Sequence, residues 1–229
     1  QNIHNFPEKM YFIFSKYLER KFADTDERVC FIDVGAAEGL YSISAANILK
    51  NPVIACFEPE YERFLVLAEN LKNRKNMADF HVHQKMVSNT TSDSEPLIVW
   101  NYIGVNAISA GSATPVTEVR DHTNPTRYGT KIFHMATTLD EFAESYDKID
   151  IVKIDVEGGE IKVFEGAAKM IKEHKPTIFL ELHNSERFDF CTIDKVKNAL
   201  GDVANEYKFT LIDSHHGELE YYVITPIKE

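Results

Sequence analysis

The sequence predicts an α/β fold: a doubly wound, mostly parallel seven-stranded sheet with an antiparallel last strand. Short apolar runs alternate with amphipathic segments over residues 29–200, which is typical of consecutive βαβ units. The first run ends in a glycine-containing turn at residues 33–39 that opens a helix. The last two runs are joined only by residues 214–217, a link too short for a crossover, which favours an antiparallel hairpin.

An N-terminal helical segment, residues 1–28, precedes the main domain, which we assign to residues 29–229. Apolar residues recur in it at helical spacing and form one broad face. They are Met10, Ile13, Phe14, Tyr17, Leu18 and Phe22. Such a face packs on the sheet edge or covers a ligand site, and we expect the sheet edge, which is the commoner outcome.

The first half of the domain alternates strands with helices. Strands are predicted at 29–34, 53–57 and 80–87, which are short runs rich in β-branched and aromatic residues. Helices are predicted at 39–50 and 60–74, where apolar residues return at helical spacing.

A less regular stretch follows these elements. The apolar residues 97–100 predict a short hairpin within residues 96–108. Residues 109–131 are polar and contain two Gly and two Pro. A long polar segment inside a compact domain is usually a functional loop or a disordered one, and the sequence leaves both open.

The second half of the domain returns to alternation. A helix is predicted to start at residues 137–141, where Asp140 and Glu141 would lie at its positive end. We then predict strands at 149–154 and 177–182, helices at 160–173 and 192–200, and the hairpin strands at 208–213 and 219–226.

Composition limits the partners and the compartment. The formal net charge of −11 argues against a nucleic-acid or anionic-membrane partner, because phosphate contacts need clustered Lys and Arg. No apolar run is long enough to span a bilayer, and we recognise no signal peptide. The three cysteines form no C-x-x-C pair, which favours free thiols in a reducing compartment. We therefore predict a cytoplasmic protein; its oligomeric state is not predicted.

The turn at residues 33–39 indicates the ligand class. It lacks the middle glycine of G-x-G-x-x-G, since Ala37 stands between Gly35 and Gly39. Asp33 precedes it and would repel a pyrophosphate, but it suits a cationic or amino-group ligand. Glu58 ends the second strand, where a carboxylate can accept both ribose hydroxyls.

Together these residues favour S-adenosylmethionine as the cofactor. An NAD-dependent oxidoreductase is the alternative, and it is disfavoured by the missing glycine. A non-catalytic scaffold that keeps the fold is a further alternative. The plainer interpretation is that Asp33 caps a helix and Glu58 is a solvated strand end. The predicted cofactor-binding residues are Asp33, Gly35, Ala36, Ala37, Gly39, Glu58, Val87, Ser88 and Asp155.

A second motif lies at residues 151–160, where Lys153, Asp155 and Glu157 alternate along a strand that should be buried. Charged groups there are costly unless paired, so Lys153 either pairs with a carboxylate or acts in catalysis. Asp155 ends the central strand beside the glycine turn and is the first candidate for the catalytic base. Glu157 is a further catalytic candidate.

The fifth strand leads into His183, the second candidate for the base, because an imidazole titrates near neutrality. A buried, hydrogen-bonded histidine is an equally good interpretation. Asp155, His183 and Asn184 could also hold a divalent ion such as Mg²⁺ on a substrate oxygen, although no spacing rule enforces such a site.

With these motifs in hand, the chain resembles the FkbM family of S-adenosylmethionine-dependent methyltransferases. The resemblance rests on Asp-Val-Gly-Ala-Ala-Glu-Gly at 33–39, Phe-Glu-Pro at 57–59, Thr-Leu-Asp at 138–140, the motif at 151–160 and Val-Phe-Glu-Gly at 163–166. It implies a Rossmann-like class I methyltransferase fold, cofactor contacts at the turn and at Glu58, and O-methylation of a hydroxyl on a small molecule or sugar. Family members often carry Asn where this chain has Ala37.

Overall fold

The computed structural model describes residues 6–22, 25–74, 77–102, 113–114, 127–185 and 190–227. Along the chain its elements are α1 (Phe6–Phe22), β1 (Cys30–Val34), α2 (Leu40–Ile48), β2 (Val53–Phe57), α3 (Tyr61–Lys72), β3 (Asp79–His83), β4 (Met86–Val87), β5 (Ser92–Tyr102), β6 (Ala113–Thr114), β7 (Arg127–Thr137), α4 (Leu139–Ala143), β8 (Ile151–Ile154), α5 (Glu160–Glu165), α6 (Ala168–His174), β9 (Thr177–His183), α7 (Ile193–Leu200), a 3-10 helix (Gly201–Glu206), β10 (Tyr207–His215) and β11 (Leu219–Pro226).

The larger sheet has seven strands in the order β10-β11-β9-β8-β1-β2-β3. β11 runs antiparallel to both of its neighbours, β9 and β10, while the other pairs are parallel. The last strand of the chain is therefore the antiparallel one, and the predicted doubly wound fold is confirmed.

Both faces of this sheet are buried, as a mostly parallel sheet requires. Along β1, Ile32 and Val34 face a core formed mainly with α4 to α7. Phe31 faces the opposite core, formed with α1, α2 and α3. The alternation follows from the two-residue period of a strand and fixes which side chains point toward each helix layer.

Helix α1 packs on a face of the sheet and not on its edge. The ring centroid of Phe14 lies 5.3 Å from that of Phe31 in β1 and 5.1 Å from that of Phe179 in β9. The apolar face of α1 was correctly predicted, since Met10, Phe14, Leu18 and Phe22 are buried. The expected edge position was wrong, because the apolar face of α1 covers Phe31 and Phe179 on the face of the sheet.

The structure has a second sheet of four strands, in the order β4-β7-β5-β6, which was not predicted from the sequence. The strand predicted at 80–87 ends at His83, and Met86–Val87 joins the second sheet instead. The apolar residues 97–100 of the predicted hairpin lie in β5, which pairs antiparallel with β7 and with β6, while residues 103–108 lie outside the described residues. We call the pair of β5 and β7 the β5–β7 ribbon. Most of the polar segment 109–131 lies outside the described residues.

The helix predicted at 160–173 is two helices, α5 and α6. They are separated at Gly166, where a Cβ atom would lie 2.1 Å from the carbonyl oxygen of Ser88. The carbonyl oxygen of Gly166 also accepts a hydrogen bond from the backbone N–H of Asp140 at 2.8 Å. The helix is interrupted because the chain packs closely against two other segments there. Among the described helices, none combines the length and apolar character needed to cross a membrane.

Candidate active site

The carboxyl ends of β1, β2, β8 and β9 meet at one edge of the larger sheet, the edge at which doubly wound folds bind ligands. A cavity of about 620 Å³, counting its open mouth, lies at the ends of β1, β2 and β8. The segments that follow these strands contribute Gly35, Ala37, Glu58, Asp155 and Glu157 to its wall.

The turn after β1 is built from backbone geometry. Gly35, Ala37 and Gly39 all have positive φ, at 73°, 46° and 89°. A Cβ atom on Gly35 would lie 1.8 Å from the carbonyl oxygen of Asp155. The turn therefore packs directly on the loop after β8, and only glycine permits that approach.

Asp33 lies beneath this turn. Its carboxyl group is fully buried, accepts a hydrogen bond from the Ser42 hydroxyl at 2.6 Å, and lies 3.6 Å from Lys153 Nζ. Burial raises the pKa of Asp33, while the Lys153 charge and the Ser42 hydroxyl oppose that rise. A direct contact between Asp33 and a cofactor stays a prediction, and it would require these partners to move.

Glu58 lines the cavity and closes the turn. Oε2 accepts a hydrogen bond from the backbone N–H of Ala37, and Oε1 accepts one from that of Glu60, both at 2.9 Å. Burial raises the pKa of Glu58, and the Glu60 N–H, the Arg63 charge and the Ala37 N–H oppose it. Each carboxylate oxygen keeps a second lone pair, so the group can accept two further hydroxyl hydrogens, as predicted for a ribose.

The remaining predicted cofactor residues divide into two groups. Val87 lines the cavity. Ala36, Gly39 and Ser88 are buried and shape its surroundings. Ala36 donates its N–H to the Phe57 carbonyl oxygen at 3.0 Å, and Ser88 donates its N–H to that of Thr137 at 2.9 Å. Sequence position alone does not distinguish the two groups.

Lys153 joins the two sides of the site. Its Nζ donates to the carbonyl oxygen of Gly35 at 2.7 Å and lies 3.4 Å from Asp155 Oδ2. The predicted pairing of Lys153 with a carboxylate is thus confirmed. Burial on its own would lower the pKa of Lys153, but the charges of Asp155, Asp33 and Glu181 raise it. Lys153 therefore remains a cation that ties the glycine turn to Asp155.

His183 is held by a buried carboxylate. Its Nδ1 lies 2.8 Å from Glu160 Oε1, and Glu160 is fully buried. Its Nε2 lies 3.6 Å from Glu157 Oε2. Burial would lower the pKa of His183, but the hydrogen bond and charge of Glu160, with the charges of Asp155 and Glu157, raise it to about 10. A charged imidazole cannot take up a proton, which argues against His183 as the base and leaves Asp155 as the stronger candidate.

A group of side chains that could hold a metal ion shares Asp155 and His183 with the predicted metal site. Among the described residues, Asp155, Glu181 and His183 have ligand atoms within 4.8 Å of one another. Asn184 follows His183 directly, and its backbone N–H donates to the Glu218 carbonyl oxygen at 2.7 Å; its predicted role as a ligand stays a prediction. Burial and the Asp155 charge raise the pKa of Glu181 to about 8. Mg²⁺ prefers an all-oxygen ligand set, so the imidazole in this group disfavours Mg²⁺ here.

Sequence reasoning missed several residues of this site. Glu160 and Glu181 were not chosen as site residues, although Glu160 ends the motif at 151–160 and Glu181 comes shortly before His183. Arg63 and Leu97 also line the cavity. Neither has a local signal, because each comes from an element whose position depends on the whole fold.

A glycine turn after the first strand and a buried acid after the second are what a nucleoside-bearing cofactor requires of a doubly wound sheet. With an acid at the end of the central strand, they define the class of S-adenosylmethionine-dependent methyltransferases. A family model described as the methyltransferase FkbM domain matches residues 33–220. The chain belongs to the FkbM methyltransferase family, which confirms both the resemblance and the predicted class of enzyme.

Solved structures share the fold at low sequence identity. Methyltransferase FkbM from Methylobacillus flagellatus KT is 14% identical, with a TM-score of 0.54, covering 94% of this chain and 52% of that chain. A putative rRNA-methylase from Clostridium thermocellum is 10% identical, with a TM-score of 0.56, covering 96% and 97%. Aeropyrum pernix fibrillarin, with natively bound S-adenosyl-L-methionine, is 7% identical, with a TM-score of 0.50, covering 95% and 76%.

The chain thus spans about half the length of the Methylobacillus FkbM structure. At these identities the neighbours establish the fold alone. Comparison with curated proteins gives no significant match.

Proposed function

We propose that this chain transfers the methyl group of S-adenosylmethionine to a hydroxyl of a small molecule or sugar. The observation that carries the proposal is Asp155, whose carboxylate lines the cavity at the end of the central strand, with Oδ2 3.4 Å from Lys153 Nζ. A carboxylate held in that way by a cation has its other oxygen available to accept the hydrogen of a hydroxyl.

The residues around the cavity fit the cofactor. Gly35 and Ala37 line the cavity, so the backbone of the glycine turn is exposed to a ligand there. Glu58 suits the ribose hydroxyls, while Asp155 and Glu157 suit a cationic sulfonium and an ammonium group. When bound, S-adenosylmethionine supplies an electrophilic methyl group.

The chain's own groups would position the acceptor and handle its proton. Asp155 orients the hydroxyl and takes up its proton, because a neutral hydroxyl is a weak nucleophile. Lys153 fixes Asp155 relative to the glycine turn, which sets the distance between the two binding regions. His183, as a cation beside Glu157, holds that side chain at the cavity wall.

The charge pattern supports a small-molecule or glycan acceptor over a nucleic acid. The chain carries 36 acidic against 25 basic side chains, and Asp155 and Glu157 would repel a phosphodiester near the methyl group. The rRNA-methylase neighbour adds no evidence for RNA, because its likeness is one of fold. Cys30, Cys56 and Cys191 are free and buried, which supports a cytoplasmic setting.

The first experiment measures methyl transfer to a panel of hydroxyl-bearing acceptors with Asp155→Asn. We expect turnover to fall roughly 100-fold or more, as for loss of a general base, while the dissociation constant for S-adenosylhomocysteine, which has no sulfonium charge, changes little. Asp194→Asn is the matched control, because Asp194 is 86% exposed and lies outside the cavity. Near-normal turnover of Asp155→Asn would reject the catalytic assignment.

The same assay tests the predicted divalent ion. Activity that a chelator removes and Mg²⁺ restores would support a metal at Asp155. Activity that survives the chelator would support direct proton transfer to Asp155.

The second experiment measures S-adenosylhomocysteine binding by calorimetry with Glu58→Ala. Loss of a carboxylate that accepts two ribose hydroxyls should weaken binding roughly 100-fold or more, because charge-assisted hydrogen bonds are strong. Glu62→Ala, an exposed change in the first turn of α3, is the control. Binding of NAD without binding of S-adenosylhomocysteine would favour the oxidoreductase, and binding of neither would favour the scaffold.

A further inference from the structure

The cavity has two chemically different walls. The larger sheet contributes the polar wall, with Gly35, Glu58 and Asp155. Several of the other lining residues are apolar and include Met86, Val87 and Leu97. Met86 and Val87 form β4 of the second sheet, and Leu97 comes from the β5–β7 ribbon. Both sheets therefore contribute residues to the cavity wall.

Leu97 is the point at which the ribbon reaches this site. Its side chain is 2% exposed and forms a small apolar cluster with Met86 and Ala136. Phe133 and Met135, on the same ribbon, alternate with Ala136 and are 61% and 46% exposed. The ribbon thus has an inner face that includes the cavity wall and an outer face that does not.

The polar groups fix how an adenosyl ligand would lie. Glu58 takes the ribose, and the acidic loop after β8 takes the charged sulfonium end. The base is attached to the ribose on the side away from the sulfur, so it lies away from the acidic loop after β8, and the lining outside that loop includes Met86, Val87 and Leu97. A flat, largely apolar ring matches the Met86, Val87 and Leu97 surface.

We propose that Leu97 packs against the adenine ring, so that the β5–β7 ribbon is part of the cofactor site and is stabilised when the cofactor binds. This inference rests on the proposed use of an adenosyl cofactor. The proposal gives a binding role to the β5–β7 ribbon, which lies outside the larger sheet. The ribbon would recognise the adenine base and not the methionine end of the ligand.

The test compares S-adenosylhomocysteine with S-ribosylhomocysteine, which lacks the adenine. In Leu97→Ala, calorimetry should show S-adenosylhomocysteine binding about tenfold more weakly, as expected for a lost apolar contact in a pocket. Binding of S-ribosylhomocysteine should not change. Phe133→Ala, on the outer face of the same ribbon, is the matched control and should leave both dissociation constants unchanged.

Because Leu97→Ala could loosen the ribbon itself, hydrogen exchange on the unmutated protein gives a second measurement. S-adenosylhomocysteine should slow exchange of the amides in β5 and β7, whereas S-ribosylhomocysteine at saturation should not. Equal protection by both ligands, or equal weakening of both by Leu97→Ala, would overturn the inference and leave the proposed function standing. Failure of S-adenosylhomocysteine to bind the unmutated protein would overturn both.

Discussion

The turn after β1, residues 35–39, and the loop after β8, residues 155–159, stand side by side and are built in different ways. The first uses backbone shape: Gly35 has no room for a Cβ, and its conformation has positive φ. The second uses charge: Asp155 and Glu157 face Lys153 and His183. A site of the first kind is sensitive to one added methyl group, and a site of the second kind is sensitive to pH.

The largest expected effect tests the shape of the first turn. Gly35→Ala should cost at least about 4 kcal/mol of unfolding free energy or prevent folding, because the new Cβ would overlap the Asp155 carbonyl. Gly217→Ala is a matched control, since Gly217 has the same φ of 73° with nothing within 4 Å of a Cβ. It should cost about 1 kcal/mol, from conformation alone. Similar losses in the two variants, measured by denaturant unfolding, would show that the close approach is not limiting.

The next effect tests the charge of the second loop. His183→Gln should cost about 3 kcal/mol at pH 6, because it leaves Glu160 buried without its cation. The folded-state pKa of His183 is raised to about 10 from 6.5, so its stabilisation is complete below pH 6.5 and is lost as pH rises through 10.

The difference in stability between His183→Gln and the unmutated protein should therefore shrink as the pH rises from 6 to 10. Denaturant unfolding at both ends of that range gives the comparison. The exposed His215→Gln should change little at either pH. A constant difference across the range would mean that the imidazole is neutral in the folded protein.

The smallest expected change in unfolding free energy is an increase, not a loss. Ala37 has φ of 46°, which a side chain disfavours, yet its N–H must point at Glu58. Ala37→Gly should raise the unfolding free energy by about 0.5 kcal/mol, as relief of strain outweighs the added freedom of the unfolded chain. Ala36→Gly should instead lower it by about 1 kcal/mol, since Ala36 is buried and has no positive φ. Thermal unfolding of both variants checks the signs; destabilisation by Ala37→Gly would contradict the assigned strain.

The contrast also explains what the sequence could predict. The strands of the larger sheet follow short apolar runs, so β2 matches its predicted range of 53–57 and β1 lies within its own. Met86–Val87 could not be separated from β3, because the break is caused by pairing with β7, about fifty residues later. For the same reason the partner of β5 was missed.

The residues of the candidate site also include some that the sequence could predict and some that it could not. Gly35, Glu58 and Asp155 follow from their places at strand ends, and all three line the cavity. The charged state of His183 could not be predicted, because it depends on Glu160, which lies 23 residues earlier and is fully buried only in the fold. Asp33 was expected at the ligand, and its burial under the turn depends on Lys153 and Ser42.

The position of β11 has a consequence for synthesis of the chain. Of the seven strands of the larger sheet, β11 comes latest in the sequence, but it lies between β9 and β10. Until residues 219–226 have left the ribosome, β9 has an unpaired edge, and β10 has no strand to join. The seven-stranded sheet is therefore completed only after nearly the whole domain has been translated, and a ribosome that stalls before Leu219 would hold an aggregation-prone open sheet.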